Sequence, residues 1–336
     1  MDLDPDEASY IADRGETYRL MERYEEALAD LDRAMELDPD DASYIAGRGE
    51  TYRLMGRKEE ALADLDRAIA LDPNDASYIA VRGMTYRRMG CYEEALADFG
   101  RAMELDPDDA WYIVGRGMTY RQMERYEEAL ADFGRAMELD PDDASYIAGR
   151  GETYRRMGRY EEALADFERA IALKPDYAWA IASRGETYWQ MGRYEEALAD
   201  LERAIALDPD EAWYIAVRGM TYRRMGRNEE ARQDCERARA LDADDPYTHE
   251  CFGDLYLGLG LYEEAVRCYR ESVARERSAR RYFGLGRALL ALGREDEARE
   301  VYVAGRGMAS DAEVEEVLEA LGELRGLVVS YFADAG

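Results

Sequence analysis

One 34-residue segment is written seven times in succession, with few changes, in this chain of 336 residues. Its clearest marker is a proline that recurs at the same interval, at Pro5, Pro39, Pro73, Pro107, Pro141, Pro175 and Pro209. A fixed period of this length is typical of a solenoid, in which each repeat buries its apolar face against its neighbours. The pattern therefore predicts an extended surface for holding other molecules, and it argues against a single catalytic pocket.

Each repeat predicts two helices, here called helix A and helix B. We number its places from the alanine three residues after the proline, so the fifth repeat spans residues 144–177. A glycine at place 15 of most repeats ends helix A, and the proline turn ends helix B. In the fifth repeat the apolar or small face of helix A is Tyr146, Ile147, Gly151, Tyr154 and Met157, and that of helix B is Ala163, Leu164, Phe167, Ala170 and Ile171.

This pattern resembles the tetratricopeptide repeat family, which places Gly eighth, Tyr eleventh, Ala twentieth and twenty-seventh, a large apolar residue twenty-fourth and Pro thirty-second. The matching residues of the fifth repeat are Gly151, Tyr154, Ala163, Ala170, Phe167 and Pro175. The resemblance implies an all-α, right-handed superhelical solenoid of antiparallel helix pairs. A glycine inside a helix costs about 1 kcal/mol relative to alanine. We therefore expect close helix approach there, with Gly151 packed against Ala163.

The repeat pattern divides the chain into four regions. Residues 1–7 read as the tail of a preceding repeat, which suggests a piece of a longer protein or a docking end. Residues 8–245 hold seven near-identical repeats, and residues 246–309 hold two degenerate ones. Residues 310–336 predict an amphipathic C-terminal capping helix, with a coiled-coil-like dimer seam as the alternative.

The charge balance excludes several classes of partner. The chain has 44 Lys and Arg against 75 Asp and Glu, a net charge of −31. Such a chain repels phosphate backbones and anionic lipid surfaces, which argues against binding to nucleic acid or to a membrane. The four cysteines, which show no metal-site spacing, are expected as free thiols: Cys91, Cys235, Cys251 and Cys268. Free thiols fit a reducing bacterial cytoplasm, and the acidic start lacks the layout of a signal peptide.

Catalytic chemistry is missing from the sequence. His249 is the single histidine, and it has no nucleophile or acid at a catalytic spacing. No glycine-rich phosphate loop, zinc-protease motif or serine nucleophile motif occurs. The sequence therefore predicts a protein that is not an enzyme and that has no catalytic residue, no metal site and no cofactor.

Two places depart from the family in all seven regular repeats. Place 7, usually apolar, is arginine, and place 23 is aspartate. In the two degenerate repeats both places become apolar or thiol residues together (Phe252 with Cys268, Leu285 with Val301). Because a lone buried charge is expensive, this joint change predicts an ion pair between helices A and B. The predicted pairs are Arg14–Asp30, Arg48–Asp64, Arg82–Asp98, Arg116–Asp132, Arg150–Asp166, Arg184–Asp200 and Arg218–Asp234.

Helix A varies most at places 2, 6, 9 and 13, whose spacings of four, three and four lie on one face. The resemblance implies that this helix lines the concave groove of the array. Tryptophan and methionine suit an adaptable recognition surface, and place 12 adds a row of arginines. The predicted groove residues are Trp111, Trp179, Trp213, Met84, Met118, Met220, Arg87, Arg88, Arg121, Arg155, Arg156, Trp189, Arg223 and Arg224.

The sequence thus favours a non-enzymatic scaffold or adaptor that binds a peptide or protein segment in this groove. A segment with carboxylates and apolar anchors would suit the arginines, tryptophans and methionines. One alternative is the sensor or scaffold region of a larger bacterial signalling or defence protein. A second alternative is a structural module that self-assembles through its N-terminal end or its C-terminal helix.

Overall fold

The computed structural model describes residues 7–275, 277–309, 314–315, 317–318, 321 and 325–333. Throughout these ranges the chain forms helices joined by short turns, and no strand occurs in them. The predicted all-α array of helix pairs is confirmed. Packing groups the helices into two compact modules: an N-terminal module that ends at Leu173 and a C-terminal module that begins at Lys174.

The N-terminal module contains the first five repeats. Its helices are α1 (Ala8–Leu20), α2 (Tyr24–Leu37), α3 (Ala42–Leu54), α4 (Lys58–Leu71), α5 (Ala76–Met89), α6 (Tyr92–Leu105), α7 (Ala110–Gln122), α8 (Tyr126–Leu139), α9 (Ala144–Arg156) and α10 (Tyr160–Leu173). Odd numbers are A helices and even numbers are B helices.

The C-terminal module continues with the sixth to ninth repeats and one further helix. Its helices are α11 (Ala178–Gln190), α12 (Tyr194–Leu207), α13 (Ala212–Arg224), α14 (Asn228–Leu241), α15 (Pro246–Gly258), α16 (Tyr262–Arg275), α17 (Ala279–Ala291), α18 (Glu295–Arg306) and α19 (Arg325–Ala333). In both modules helix A packs against helix B of its own repeat, and helix B packs against helix A of the next. Successive A helices also touch, so they form a continuous layer within each module.

Side-chain caps and left-handed residues set the limits of helix A. The carboxylate of Asp75 accepts hydrogen bonds from the backbone N–H groups of Ser77 and Tyr78, which would otherwise lack partners at the start of α5. At the other end the chain turns through a left-handed residue at place 15, which is glycine in most repeats; Gly90, for example, has a φ of +77°. In the first and fourth repeats Glu22 and Glu124 adopt this conformation with a φ of 59°.

We expect Glu124→Gly to raise the free energy of unfolding by about 1 kcal/mol, because a left-handed backbone costs a non-glycine residue roughly that much. Glu127→Gly, placed inside α8, is the matched control and should lower the free energy of unfolding by about 1 kcal/mol. Urea unfolding followed by circular dichroism measures both changes. Equal effects of the two substitutions would contradict the prediction.

The core of each repeat is built on helix B. The alanines at places 20 and 27, such as Ala95 and Ala102, are fully buried, and so is the large residue at place 24, such as Phe99. Small residues at places 20 and 27 let the neighbouring A helices approach helix B closely. The apolar pattern read from the sequence is therefore the packing pattern of the solenoid.

Place 6, which the sequence assigned to the recognition face, is a packing position. It meets the place 24 residue of the preceding repeat: a Cβ built on Gly115 would overlap the ring of Phe99, and one on Gly149 would overlap the ring of Phe133. Where place 24 is leucine, place 6 can hold a buried valine, as Val81 and Val217 show. Place 6 is therefore a packing position at which a phenylalanine at place 24 leaves least room, although glycine also occurs opposite a leucine, at Gly47; its assignment to the recognition face was wrong.

Gly115→Ala should lower the free energy of unfolding by about 1–3 kcal/mol, because the new methyl group must displace the ring of Phe99. Gly47→Ala is the matched control. There the nearest atom, Cδ2 of Leu31, would lie 3.4 Å from the new Cβ, an ordinary contact, and stability should hold or rise slightly.

Phe99→Leu in the Gly115→Ala background should recover part of the lost stability, because leucine removes the overlapping ring atoms. Thermal and urea unfolding of the three variants measure this. Equal destabilisation by Gly115→Ala and Gly47→Ala would show that volume matching does not govern place 6.

Two other expectations need correction. Cys235 and Cys251, at places 24 and 6 of successive repeats, form a disulfide, so the prediction of free thiols holds only for Cys91 and Cys268. The predicted cytoplasmic location loses the support of free thiols at these two cysteines, and it stays a prediction. At Gly151 the nearest atoms belong to Asp166 and Phe167 rather than to the expected Ala163.

The C-terminal segment covers the last repeat where the structure describes it. Val328 and Tyr331 of α19 are buried in one cluster with Phe283 and Tyr302, and Leu318 joins the same cluster. Residues 310–313, 316, 319–320, 322–324 and 334–336, over which the predicted capping helix would also run, lie outside the described residues. So do residues 1–6 of the repeat tail that the sequence predicts at residues 1–7.

Candidate functional site

The arginine at place 7 and the aspartate at place 23 form a two-pronged ion pair in each of the seven regular repeats. In the fifth repeat Nε and Nη2 of Arg150 donate to the two carboxylate oxygens of Asp166, at 2.8 and 2.7 Å. The other six pairs have the same geometry, with distances of 2.6 to 2.8 Å. The hydrogen bond to Asp166 raises the pKa of Arg150. These pairs join helices A and B and lie in the packing of the repeat.

Some of these arginines also join successive repeats. Nη1 of Arg48 donates to Asp32 of the preceding repeat at 2.6 Å, and Arg82 donates to Asp66 in the same way at 2.7 Å. The first and third repeats differ at this position, because the third carries Gly100 where the first has Asp32. The ion pairs are therefore part of the scaffold that positions the A helices.

A double-mutant cycle on Arg150→Leu and Asp166→Val should give a coupling free energy of at least about 1 kcal/mol. Arg150→Leu alone leaves the buried carboxylate of Asp166 without its partner, whereas the double variant reproduces the apolar arrangement of the ninth repeat. Urea unfolding of the four proteins measures the coupling. The exposed pair Arg159–Glu162 is the control and should show none that can be measured. Additive effects at Arg150 and Asp166 would contradict the interpretation.

The A-helix face is formed by places 2, 9, 12 and 13 of successive A helices. In the N-terminal module several predicted groove residues lie exposed on it: Trp111 is 41% exposed, and Arg88 and Arg156 are exposed as well. Met84 and Met118 are half-buried. These residues differ between repeats that are otherwise nearly identical, and the packing between repeats does not require the differences.

Carboxylates at place 9 neutralise the arginines of this face in three repeats of the N-terminal module. Glu50 lies 3.2 Å from Arg19 of the preceding repeat and 3.3 Å from Arg53 of its own. In the fifth repeat Glu152 accepts from Arg155 at 2.8 Å and from Arg156 at 2.9 Å. Burial alone would raise the pKa of Glu152, but the positive charges of Arg155, Arg156 and Arg121 lower it to about 2.

The third and fourth repeats lack these carboxylates, because place 9 holds Met84 and Met118. The Arg121 guanidinium donates to the carbonyl oxygen of Gly149 at 3.1 Å and lies 5.7 Å from the ring of Phe133. The guanidinium of Arg87 makes no hydrogen bond and no ion pair with any residue that the structure describes, and its Nε is buried. Neither arginine is therefore paired directly with a carboxylate of the described residues, although Glu152 attracts Arg121 from a greater distance.

Buried carboxylates of the eighth repeat dominate the A-helix face of the C-terminal module. Glu250 pairs with Arg280 and Arg281 of the ninth repeat. Asp254 accepts a hydrogen bond from the hydroxyl of Tyr269 at 2.5 Å. Its carboxylate also lies within 4 Å of Arg223 and of Arg287. Each carboxylate is shared by two arginines, so these four arginines have counter-charges within the module.

Three predicted groove residues lie beneath this surface. Met220 is 1% exposed and Trp189 is 7% exposed, and Arg155 of the N-terminal module is also buried. The guanidinium of Arg280 lies 4.5 Å from the centre of the Trp189 ring, and Arg224 lies 5.7 Å from it. A partner would meet the exposed members of the predicted set first.

Trp179 and Trp213 are half-buried among tyrosines. The ring of Trp213 lies 5.1 Å from Tyr214 and 6.1 Å from Tyr247, and that of Trp179 lies 5.9 Å from Tyr177. These aromatic contacts hold each tryptophan in one orientation at the start of its A helix.

Sequence reasoning missed the two buried carboxylates Glu250 and Asp254. A signal was present, because Glu250 stands at place 5, where the regular repeats have alanine or valine. A charge at a small-residue place of a packed helix requires a partner. The ninth repeat supplies those partners as Arg280 and Arg281.

No group of three or more metal-binding side chains comes together within the ranges that the structure covers. Within the same ranges, no helix is both long enough and apolar enough to cross a bilayer. Burial lowers the pKa of His249 below its usual value.

Comparison with protein families gives matches to tetratricopeptide repeat models along nearly the whole chain. Four such models match, at residues 6–74 and 142–210, 49–112, 110–143, and 183–246 and 252–312. No curated protein matches the sequence.

Solved structures with the same fold are distant in sequence. A tetratricopeptide repeat protein from Parabacteroides merdae is 21% identical, with a TM-score of 0.63 over 75% of this chain and 98% of that one. A chain of the APC/C hetero-tetramer Cut9–Hcn1 is 18% identical, with a TM-score of 0.64 over 82% and 55%. The protein pilF of Pseudomonas aeruginosa is 17% identical, with a TM-score of 0.52 over 63% and 96%.

Proposed function

The chain belongs to the tetratricopeptide repeat family, whose fold is in general a protein–protein interaction scaffold, and on that basis we propose that its A-helix face binds a peptide segment of a partner protein. The role is that of a non-enzymatic adaptor. The preferred segment carries apolar anchors together with carboxylates.

One observation carries this proposal: variation on the A-helix face remains after packing has been accounted for. Place 6 is a packing position, as described above, and Met220 at place 9 is buried as well, but Trp111 at place 2 and Arg88 at place 13 lie exposed. At place 2 serine stands in four of the first seven repeats and tryptophan in the fourth, sixth and seventh. Tryptophan at a half-exposed position of a helix is a poor choice for solvent and a good anchor for a partner.

The chemistry of the remaining variable places suits a peptide. Met84 and Met118 supply adaptable apolar surface on neighbouring A helices. Arg88 lies exposed on the same face and can donate forked hydrogen bonds to a carboxylate. An acidic exterior repels other acidic surfaces and favours contact at the positive part of the chain.

Selection of peptides from a random library on the purified full chain tests the proposal. The variant carries Trp111→Ser, Trp179→Ser and Trp213→Ser, because serine is the residue that other repeats already have at place 2. We expect enriched peptides to bind the variant at least about tenfold more weakly than the native chain, a loss of about 1.4 kcal/mol.

The matched control is Gly134→Glu on helix B, where the fifth repeat already has Glu168 and a new Cβ would meet open space. It should bind the same peptides as the native chain does. Circular dichroism must show that all three proteins are folded. Failure to enrich any peptide, or equal binding by the tryptophan variant, would refute the proposal.

A further inference from the structure

Four arginines of the second to fourth repeats gather on one part of the A-helix face. Arg88 donates to the backbone carbonyl of Arg53 at 3.3 Å, which brings place 13 of the third repeat onto place 12 of the second. Besides burial, the positive charges of Arg53 and Arg88 lower the pKa of Arg87, and the positive charge of Arg87 lowers the pKa of Arg121. We call Arg53, Arg87, Arg88 and Arg121 the arginine cluster.

The carboxylates around the arginine cluster already form ion pairs with arginines. Glu50 is shared between Arg19 and Arg53, and Glu152 is shared between Arg155 and Arg156. The guanidinium groups of Arg87, Arg88 and Arg121 have no ion pair with any of the residues described. Glu152 attracts the Arg121 guanidinium without pairing with it, so none of these three cationic groups has a paired counter-charge, although the net charge of the chain is −31.

Burial makes this arrangement costly without a ligand. It lowers the pKa of Arg121 to about 10; the negative charge of Glu152 opposes this shift, and the positive charges of Arg156 and Arg87 add to it. Burial, together with neighbouring arginines, also lowers the pKa values of Arg87 and Arg53. The Nε atoms of Arg53 and Arg87 are buried and have no hydrogen-bond partner among the described residues. Donors held in this way are stabilised when an anion supplies acceptors.

The rest of the protein shows how the same fold avoids this cost. In the first, second and fifth repeats a glutamate at place 9 pairs with the arginine three residues later. In the C-terminal module Glu250 and Asp254 each serve two arginines. In the third and fourth repeats place 9 holds methionine instead of glutamate, while place 12 still holds arginine.

We propose that the arginine cluster is an anion-binding subsite that receives the carboxylates of an acidic peptide segment. This proposal rests on the function proposed above and adds the chemical class of the ligand. Met84 and Met118 lie on the same helices and contact apolar side chains of that segment. The ligand thereby supplies the negative charge that the glutamates supply in other repeats.

Carboxylates on a peptide fit the cluster better than a single phosphate group does. The guanidinium groups come from three successive repeats, so several separate acceptors along an extended segment can reach them. Arginine forks bind carboxylates through paired hydrogen bonds. A strongly charged polyanion would also meet greater repulsion from the acidic remainder of the chain.

The chain itself suggests the decisive variant. Met84→Glu with Met118→Glu restores the glutamates of the other repeats and provides internal competitors for the ligand. Met84→Gln with Met118→Gln has the same shape without the charge. The probe is a short synthetic peptide in which glutamates alternate with leucines, titrated calorimetrically against the full chain at low salt, with a glutamine–leucine peptide for comparison.

We expect the native chain to bind the glutamate peptide at least about tenfold more tightly than the glutamine peptide, a difference of about 1.4 kcal/mol. The glutamate variant should bind it at least about tenfold more weakly than the glutamine variant and should melt at a higher temperature. Equal binding of the two peptides by the native chain, equal binding of the glutamate peptide by the two variants, or no binding at all would overturn the subsite.

Two further measurements distinguish failure of the arginine cluster from failure of the proposed peptide-binding function. A phosphoserine–leucine peptide that binds tenfold more tightly than the glutamate peptide would overturn the carboxylate assignment in favour of phosphate. Library selection imposes no charge on its peptides, so enriched peptides without acidic residues would refute the arginine cluster while the peptide-binding function stands. Failure of that selection would instead refute the function.

Discussion

The helices of each repeat pack against each other and against the neighbouring repeat, and the contact between place 24 and the next place 6 leaves very little room. Phe99 fits against Gly115 and Phe133 against Gly149, because a larger residue at place 6 would overlap the ring. The A helices can form a continuous layer only when this contact is satisfied. The positions of all side chains on the A-helix face therefore depend on a volume match made beneath it.

The periodic part of this structure could be read from the sequence, because period, proline turns and apolar spacing are set by local chemistry. Arginine at place 7 and aspartate at place 23 were readable as a pair because both change together in the eighth repeat, to Phe252 and Cys268. The role of place 6 was not readable, since its partner stands 16 residues earlier and in another repeat. The Cys235–Cys251 disulfide was not predicted for the same reason, because its two cysteines are 16 residues apart in successive repeats.

The candidate site could likewise be predicted from the sequence only in part. Exposed Trp111 could be identified from residue chemistry alone, because tryptophan is conspicuous at a place that holds serine in four of the seven regular repeats. Burial of Met220 and Trp189 could not, because it depends on Arg280 of the ninth repeat, two repeats beyond Met220. The charge balance around Glu250 and Asp254 likewise depends on contacts between degenerate repeats, whose register predicts helices but not side-chain partners.

Near-identical repeats also act as internal controls for one another. The first, second and fifth repeats show that glutamate at place 9 is compatible with the fold and balances the arginine at place 12. Retention of Arg87 and Arg121 beside Met84 and Met118 therefore does not follow from packing. Uncompensated charge in a half-buried position lowers stability, and such sites are typical of binding surfaces, where a ligand restores the balance. The substitution of methionine for glutamate thus changes the electrostatics of two repeats while their backbone stays the same.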